Sequence, residues 1–274
     1  MPEGDTIYRT AVVLRRVLQG KKLTSVSGSL AATESSRGAL VGRVVEEVNA
    51  RGKHLLIRLR NTRKEPSEDL VLHTHLGMHG SWHAYQIGVP WKKPRRLAQV
   101  ILTVKDAEAA VFTAPVVELL TTRQVARHPT LTSLGPDASA EHFDAPEVLK
   151  RLRSRPDLSI AEGLLLQRAM AGVGNVFKSE VLFVERVNPF AKIGDLSDDT
   201  LARLIAQSRI LLVINRQAIS RRTRGSLDPD GRLWVYDRIG LPCRTCGSAI
   251  RMRRHGAGLR STYFCPQCQQ VETA

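Results

Sequence analysis

The sequence predicts an α+β chain of several domains: an N-terminal β-sandwich flanked by one helix, then a helical half, then a short segment folded around a metal. Three observations carry this. Short stretches rich in β-branched residues dominate the first half, helical periodicity takes over beyond residue 140, and all four cysteines fall near the end. From Thr6 to Leu18, the apolar residues Ile7, Ala11, Leu14 and Leu18 recur at helical spacing, with Asp5 as the expected cap and Gly20 as the stop. The stretches "KLTSVS", "GRVVEEVNA", "HLLIRLR", "DLVLHTHL", "SWHAYQ", "AQVILTV", "AAVFTA" and "VVELLTT" follow, and their alternation suits packed antiparallel sheets.

The punctuated run "RHPTLTSLGPDASAEHFDAP" marks a boundary near residues 128 to 140. Beyond it, helices are expected at Pro146–Arg153, Ala161–Met170 and Val176–Val187, the last ended by Asn188 and Pro189. A long helix should run from Ser197 to Ala218, opened by a Ser-Asp-Asp cluster as cap and acidic first turn. "GRLWVYDR" reads as a strand leading into the cysteine segment. The resulting domain assignment is 1–130, 131–230 and 231–274.

With 41 Lys+Arg against 26 Asp+Glu, the chain of 274 residues carries +15. A polyanionic partner is the leading explanation, nucleic acid before membrane. Membrane binding would call for an amphipathic basic helix, a lipidation motif or a long apolar span, whereas the longest apolar run is Ile210–Ile214. The acidic start lacks the apolar core of a signal peptide, so a cytoplasmic location is expected. A monomer with no small-molecule cofactor is also expected.

Cys243, Cys246, Cys265 and Cys268 form two CxxC pairs separated by eighteen residues. In a reducing compartment this spacing sets four thiolates around one tetrahedral, structural zinc; redox or disulfide pairs are the alternative. Binding energy at such a site is folding energy.

Several motifs could grip or process a polyanion. "AGVGNVFKSE" puts Gly172, Gly174 and Asn175 at a helix start, where backbone amides and the Asn175 side chain suit a phosphate; a structural turn is the other reading. Arg209, Arg216, Arg221, Arg222 and Arg224 form one acid-free cluster, and Arg244, Arg251, Arg253, Arg254 and Arg260 a second within the cysteine segment. His73, His75, His79 and His83 tempt a metal assignment, but their spacing does not organise a ligand set. Met78, flanked by Gly77 and Gly80, could be an apolar wedge for a base stack or could fold back onto the core. Lys53 precedes an apolar strand at what reads as a sheet edge, where a lysine is ordinarily solvated. The "MPEGDT" tip would ordinarily be frayed.

Taken in order, the "PEG" tip, "RGKHL", "HLGM", "LGPD", "GVGNVFKSE" and "CRTCG…GLRSTYFCPQCQ" resemble the formamidopyrimidine-DNA glycosylase and endonuclease VIII family, from the first residues to the last cysteine. The resemblance implies a β-sandwich, a helix-two-turn-helix domain with a zinc-supported hairpin, and damaged DNA held in a cleft between them. It also implies excision of oxidised bases followed by strand cleavage at the abasic site. Pro2 then matches the nucleophile exposed by removal of Met1, Glu3 the adjacent acid and Lys53 the catalytic lysine. Asn175 and Arg260 match phosphate grips, and Met78 a void-filling wedge.

These residue types fit the chemistry. An α-amine titrates near ~8, well below a lysine at ~10.4, so a useful fraction is nucleophilic at neutral pH. A secondary amine attacking C1′ gives an iminium directly, which acidifies the C2′ proton and permits loss of the 3′ phosphate. Glu3 would shuttle protons to the opening sugar, and Lys53 would stabilise charge. The tip resembles the branch acting on oxidised pyrimidines, "HLGM" the branch acting on oxidised purines. Because the tip belongs to the active site, pyrimidines are expected. Thr6 stands where both branches often carry glutamate. The rival readings are a non-catalytic zinc-ribbon protein that binds damaged DNA and a histidine-metal hydrolase built around His75.

Overall fold

The computed structural model describes residues 2–29, 37–62, 68–218, 220–225 and 231–270; Met1 lies outside them. The chain divides into two compact units, Met1–Ser133 and Leu134–Ala274.

The first unit opens with helix α1 (Gly4–Leu18). Its stripe of Ile7, Ala11, Leu14 and Leu18 is buried, and burial of each large side chain contributes about 2 kcal/mol. Two four-stranded antiparallel sheets follow. One contains β1 (Ser25–Ser27), β6 (Ala98–Thr103), β7 (Ala107–Phe112) and β5 (Ser81–Gln86), in that spatial order. The other contains β2 (Val44–Arg51), β3 (His54–Arg60), β4 (Leu70–His75) and β8 (Val116–Thr121). A short helix, α2 (Arg37–Leu40), precedes β2. Leu55, Ile57, Leu59 and Leu72 from one sheet meet Val100, Leu102 and Val111 from the other in the same core as α1. Two short helices, α3 (Thr122–Ala126) and α4 (Pro129–Thr132), close the unit.

Asp5 is not the cap of α1. Glu3 occupies that position, and its carbonyl accepts from the amides of Thr6 (2.9 Å) and Ile7 (3.0 Å). The helix begins earlier than expected because the tip is folded in: Glu3 and Asp5 are both fully buried, and Asp5 pairs with Arg9 at 3.4 Å. Nor is Lys53 on a sheet edge, since β3 is an inner strand between β2 and β4.

The second unit is helical, with α5 (Ala145–Arg153), α6 (Ile160–Leu165), α7 (Asn175–Val184) and α8 (Asp198–Asn215) around a shared apolar core. The hairpin β9 (Arg251–His255) and β10 (Arg260–Phe264) follows. As expected, Ser197 caps α8, its hydroxyl accepting from the Thr200 amide. Three expectations fail for local polar reasons. Helix α6 stops at Leu165 rather than Met170, because the Gln167 amide donates to the carbonyls of Leu165 and Val173 and accepts from Gly172 N–H, folding the chain into a turn. Helix α8 stops at Asn215, whose side chain binds the Leu211 carbonyl and both backbone groups of Arg222.

"GRLWVYDR" is not a strand. The amides of Trp234, Val235 and Tyr236 instead converge on the buried Glu180 carboxylate at 2.8, 2.9 and 2.8 Å, with the Thr223 hydroxyl as a fourth donor. Burial pushes the Glu180 carboxyl up, and these donors oppose that shift.

Candidate active site and nucleic-acid interface

The register of the second sheet gathers several of the expected residues at one end of the first unit. Arg51 pairs with His54, which leaves Gly52 and Lys53 as a two-residue hairpin turn. Gly52 supplies the positive φ (58°) that the first position of such a turn requires. His54 in turn pairs with His75, the last residue of β4, so the loop bearing Met78 leaves the sheet at the same end as Lys53. Helix α1 runs antiparallel to β2: Gly20 N–H binds the Val45 carbonyl, while Arg15 Nε donates to the Val48 carbonyl. Its first turn, with Pro2 and Glu3, is therefore carried toward the Lys53 end.

Met78 is 57% exposed and does not fold back onto the core. Its loop is tight: Gly80 N–H binds the Leu76 carbonyl, and a Cβ on Gly77 would lie 2.8 Å from Pro115. Next to Glu3, Thr6 donates to Asp5 and accepts from Arg9, so a carboxylate is held one residue before the position where the resemblance expects an acid.

The histidines do not form the set their sequence order suggests. His79 is exposed, and His83 lies on β5 in the other sheet, against Ser81 and stacked on Tyr85. His73 joins Glu118 and His128 instead, with Nδ1 at 2.9 Å from Glu118 Oε2 and His128 Nε2 at 3.2 Å from the same oxygen. On its other side His73 Nε2 lies 2.9 Å from His54 Nδ1, and the His54 ring packs on His75 with centroids 4.8 Å apart. Burial holds His73 and His75 below their ordinary range and lowers His54 to about 3. Burial pushes the Glu118 carboxyl up, yet its hydrogen bonds from His73 and His128 hold it lower than usual.

A buried neutral His54 binds no proton in the fold, while an unfolded histidine does so below ~6.5. Stability therefore falls as pH drops from ~6.5 toward 3, at about 1.4 kcal/mol per pH unit for this residue, or roughly 2 kcal/mol at pH 5. Urea melts of His54→Gln and the parent protein should converge as the pH is lowered.

In the second unit, Asn175 is the first residue of α7, after Gly174 in extended conformation and Gly172 at φ 101°. Its side-chain oxygen accepts from the Lys178 ammonium at 3.3 Å, which assigns the NH₂ group as the donor of that side chain. Lys178 is 1% exposed and donates also to the Ser261 carbonyl and the Thr262 hydroxyl, both at 2.9 Å. It thereby ties the helix start to the strand that Arg260 begins. The hairpin tip is fixed independently by His255, whose Nε2 lies 2.8 Å from the Ser159 hydroxyl of the α6 capping box. Arg251, Arg253, Arg254 and Arg260 are exposed along this hairpin. The other arginine cluster is partly structural: Arg209 holds the carbonyls of Ala140 and Glu141, and Arg221 and Arg224 lie over Phe177 and Trp234.

The four cysteine sulfurs lie within 4.8 Å of one another. Cys243 and Cys268 are 3.8 Å apart, Cys246 and Cys265 3.4 Å, and none is in a disulfide. With Zn–S near ~2.3 Å, the edge of a ZnS₄ tetrahedron is about 3.8 Å, so the donor set fits zinc. Amides of Thr245 and Cys268 point at the sulfurs of Cys243 and Cys265, as thiolates require.

Family models match all three parts of the chain: the formamidopyrimidine-DNA glycosylase N-terminal domain at residues 1–115, its H2TH domain at 134–226, and the zinc finger found in FPG and IleRS at 240–271. The chain belongs to the formamidopyrimidine-DNA glycosylase and endonuclease VIII family. Probable endonuclease 8 2 of Streptomyces coelicolor is 38% identical over 272 residues, covering 98% of this chain and 94% of that protein. The DNA-(apurinic or apyrimidinic site) lyase Nei2 of Mycolicibacterium smegmatis is 37% identical, covering 98% and 99%. The Lactococcus lactis Fpg in complex with N7-benzyl-Fapy-dG DNA superposes with a TM-score of 0.81 at 24% identity, covering 98% of this chain and all of that one, and shows the shared fold.

The family architecture of β-sandwich, helical H2TH domain and zinc finger is thus present, with one structural zinc held by the four cysteines. Sequence reasoning missed Lys178, Glu180 and Glu118. The first two sit in "NVFKSEVLF", where a lysine and a glutamate on a helix otherwise rich in apolar residues were the available signal.

Proposed function

We propose that this protein is a bifunctional DNA glycosylase and abasic-site lyase that excises oxidised bases, with pyrimidines preferred, and cuts the strand by elimination. The observation that carries this reading is the folded tip: Glu3 is fully buried at the start of α1, and α1 leads Pro2 toward the end of the sheet that bears Lys53 and the exposed Met78.

In this reading Pro2, once Met1 is removed, attacks C1′ of the damaged nucleotide and forms an iminium. Glu3 exchanges protons with the opening sugar, and Lys53 stabilises the negative charge that develops at the departing groups. Met78 fills the space left by the flipped base, offsetting part of an unstacking cost of a few kcal/mol. Asn175 and Arg260 hold phosphates, and zinc, once bound by Cys243, Cys246, Cys265 and Cys268, fixes the hairpin that carries Arg260. Domains of 1–130, 131–230 and 231–274, acting as a monomer in the cytoplasm, complete the proposal. Among the described residues no helix is long and apolar enough to cross a membrane.

The test is a panel of duplexes bearing a single oxidised pyrimidine, oxidised purine or abasic site. Base release and strand scission on the pyrimidine duplex support the reading. Tight binding without either product favours the non-catalytic DNA-binding protein instead. The relatives named as endonuclease 8 and as a lyase support the enzyme.

A further inference from the structure

We propose that His54, His73 and Glu118 form a proton relay that links the Lys53 end of the sheet to solvent; the proposal rests on that end being the reaction centre. All three side chains lie on the face opposite the apolar core, which the intervening residues Leu55, Ile57 and Leu72 enter. The hydrogen bonds fix a single direction. The Leu131 backbone amide, which can only donate, points at His128 Nδ1 (3.3 Å), so the proton of neutral His128 is on Nε2 and is donated to Glu118. The same carboxylate oxygen accepts from His73 Nδ1, which leaves the lone pair of His73 on Nε2. His54 must then donate from Nδ1, and its own lone pair is on Nε2.

A proton arriving at His54 Nε2 can therefore travel without resting on a ring. The new Nε2–H bond forms as the His54 Nδ1 proton passes to His73 Nε2, and the His73 Nδ1 proton passes to Glu118 Oε2. Both imidazoles end neutral in the opposite tautomer, and one carboxylate has become a carboxylic acid. Loss of that proton to water restores the carboxylate; once product has left, a proton taken up from water at Glu118 retraces the path and is released from His54 Nε2 to water, which restores both starting tautomers. His73 is 1% exposed, whereas the Glu118 side chain is 41% exposed, so the acceptor is the member that reaches solvent. Lys53 and His75 face His54, and His128 faces both His73 and Glu118. Elimination must dispose of the C2′ proton, and this chain begins one residue from Lys53.

Glu118→Gln keeps an acceptor for both rings but cannot take up a proton. Single-turnover cleavage of DNA with a preformed abasic site should fall on the order of 10²-fold, while the yield of borohydride-trapped adduct and the melting temperature stay as in the parent. His73→Gln should show the same split. Cleavage at the parental rate in Glu118→Gln overturns the relay, as does parallel loss of trapping and cleavage. So does a second zinc per chain that disappears in His73→Gln, because His73, Glu118 and His128 would then be metal ligands. Failure of the parent itself to trap would instead refute the lyase reading.

Discussion

A form of the protein that retains Met1 should yield no borohydride-trapped adduct and cleave abasic-site DNA on the order of 10³-fold more slowly or worse. With Met1 in place the Pro2 nitrogen is a tertiary amide, its lone pair delocalised into the carbonyl, and it can form no iminium. Removal of Met1 yields a secondary amine with a pKa near ~8. The newly translated chain should thus fold and bind before it can react. DNA affinity should change little, because Asn175, Arg260 and the cysteine-held hairpin belong to the second unit. Gel-resolved trapping beside a binding titration checks both halves of this expectation; an adduct formed by the Met1-retaining form would remove Pro2 from the mechanism.

The second large effect is expected from Cys265→Ala. Cys265 is fully buried beside Phe183, Val235 and Ile250, so the substitution removes a zinc ligand and part of the small core under the hairpin. Zinc content should drop from one per chain to near none, and DNA affinity should fall by about 10- to 100-fold. The slope of log affinity against log salt should shallow by about 0.9 for each phosphate that the loosened hairpin no longer grips. At saturating protein, trapping at Pro2 should persist, because the first unit is unchanged. Retained zinc with unaltered affinity would show that the four sulfurs do not act as one site.

Much of this architecture was legible because it rests on periodicity and spacing. The α1 stripe, the alternating strands and the two CxxC pairs each impose a pattern that survives in one dimension. What escaped was decided by side chains reaching across sequence. Glu180 lies more than fifty residues from the three amides it gathers, so "GRLWVYDR" had strand composition without strand hydrogen bonds. Gln167 and Asn215 end helices by competing for backbone groups, a contest that apolar periodicity does not record. Lys53 read as an edge lysine because its short hairpin could be placed anywhere in a sheet until pairing with β4 made β3 an inner strand.

The same distinction explains the histidines. His73 and His75 share a strand face, as alternation requires, but their chemistry comes from His54, Glu118 and His128 on other elements. Candidate roles for Pro2, Glu3, Lys53, Met78, Asn175 and Arg260 came from family motifs, and the fold adds the reason those positions can be held: tight turns at Lys53 and Met78, a buried cap at Glu3, and Lys178 bridging Asn175 to the β10 strand.

The most direct test of the central claim is peptide mapping of the adduct trapped by borohydride on abasic-site DNA. The deoxyribose remnant is expected on the N-terminal peptide, attached to the nitrogen of Pro2. Attachment to Lys53, or to any other lysine, would contradict it.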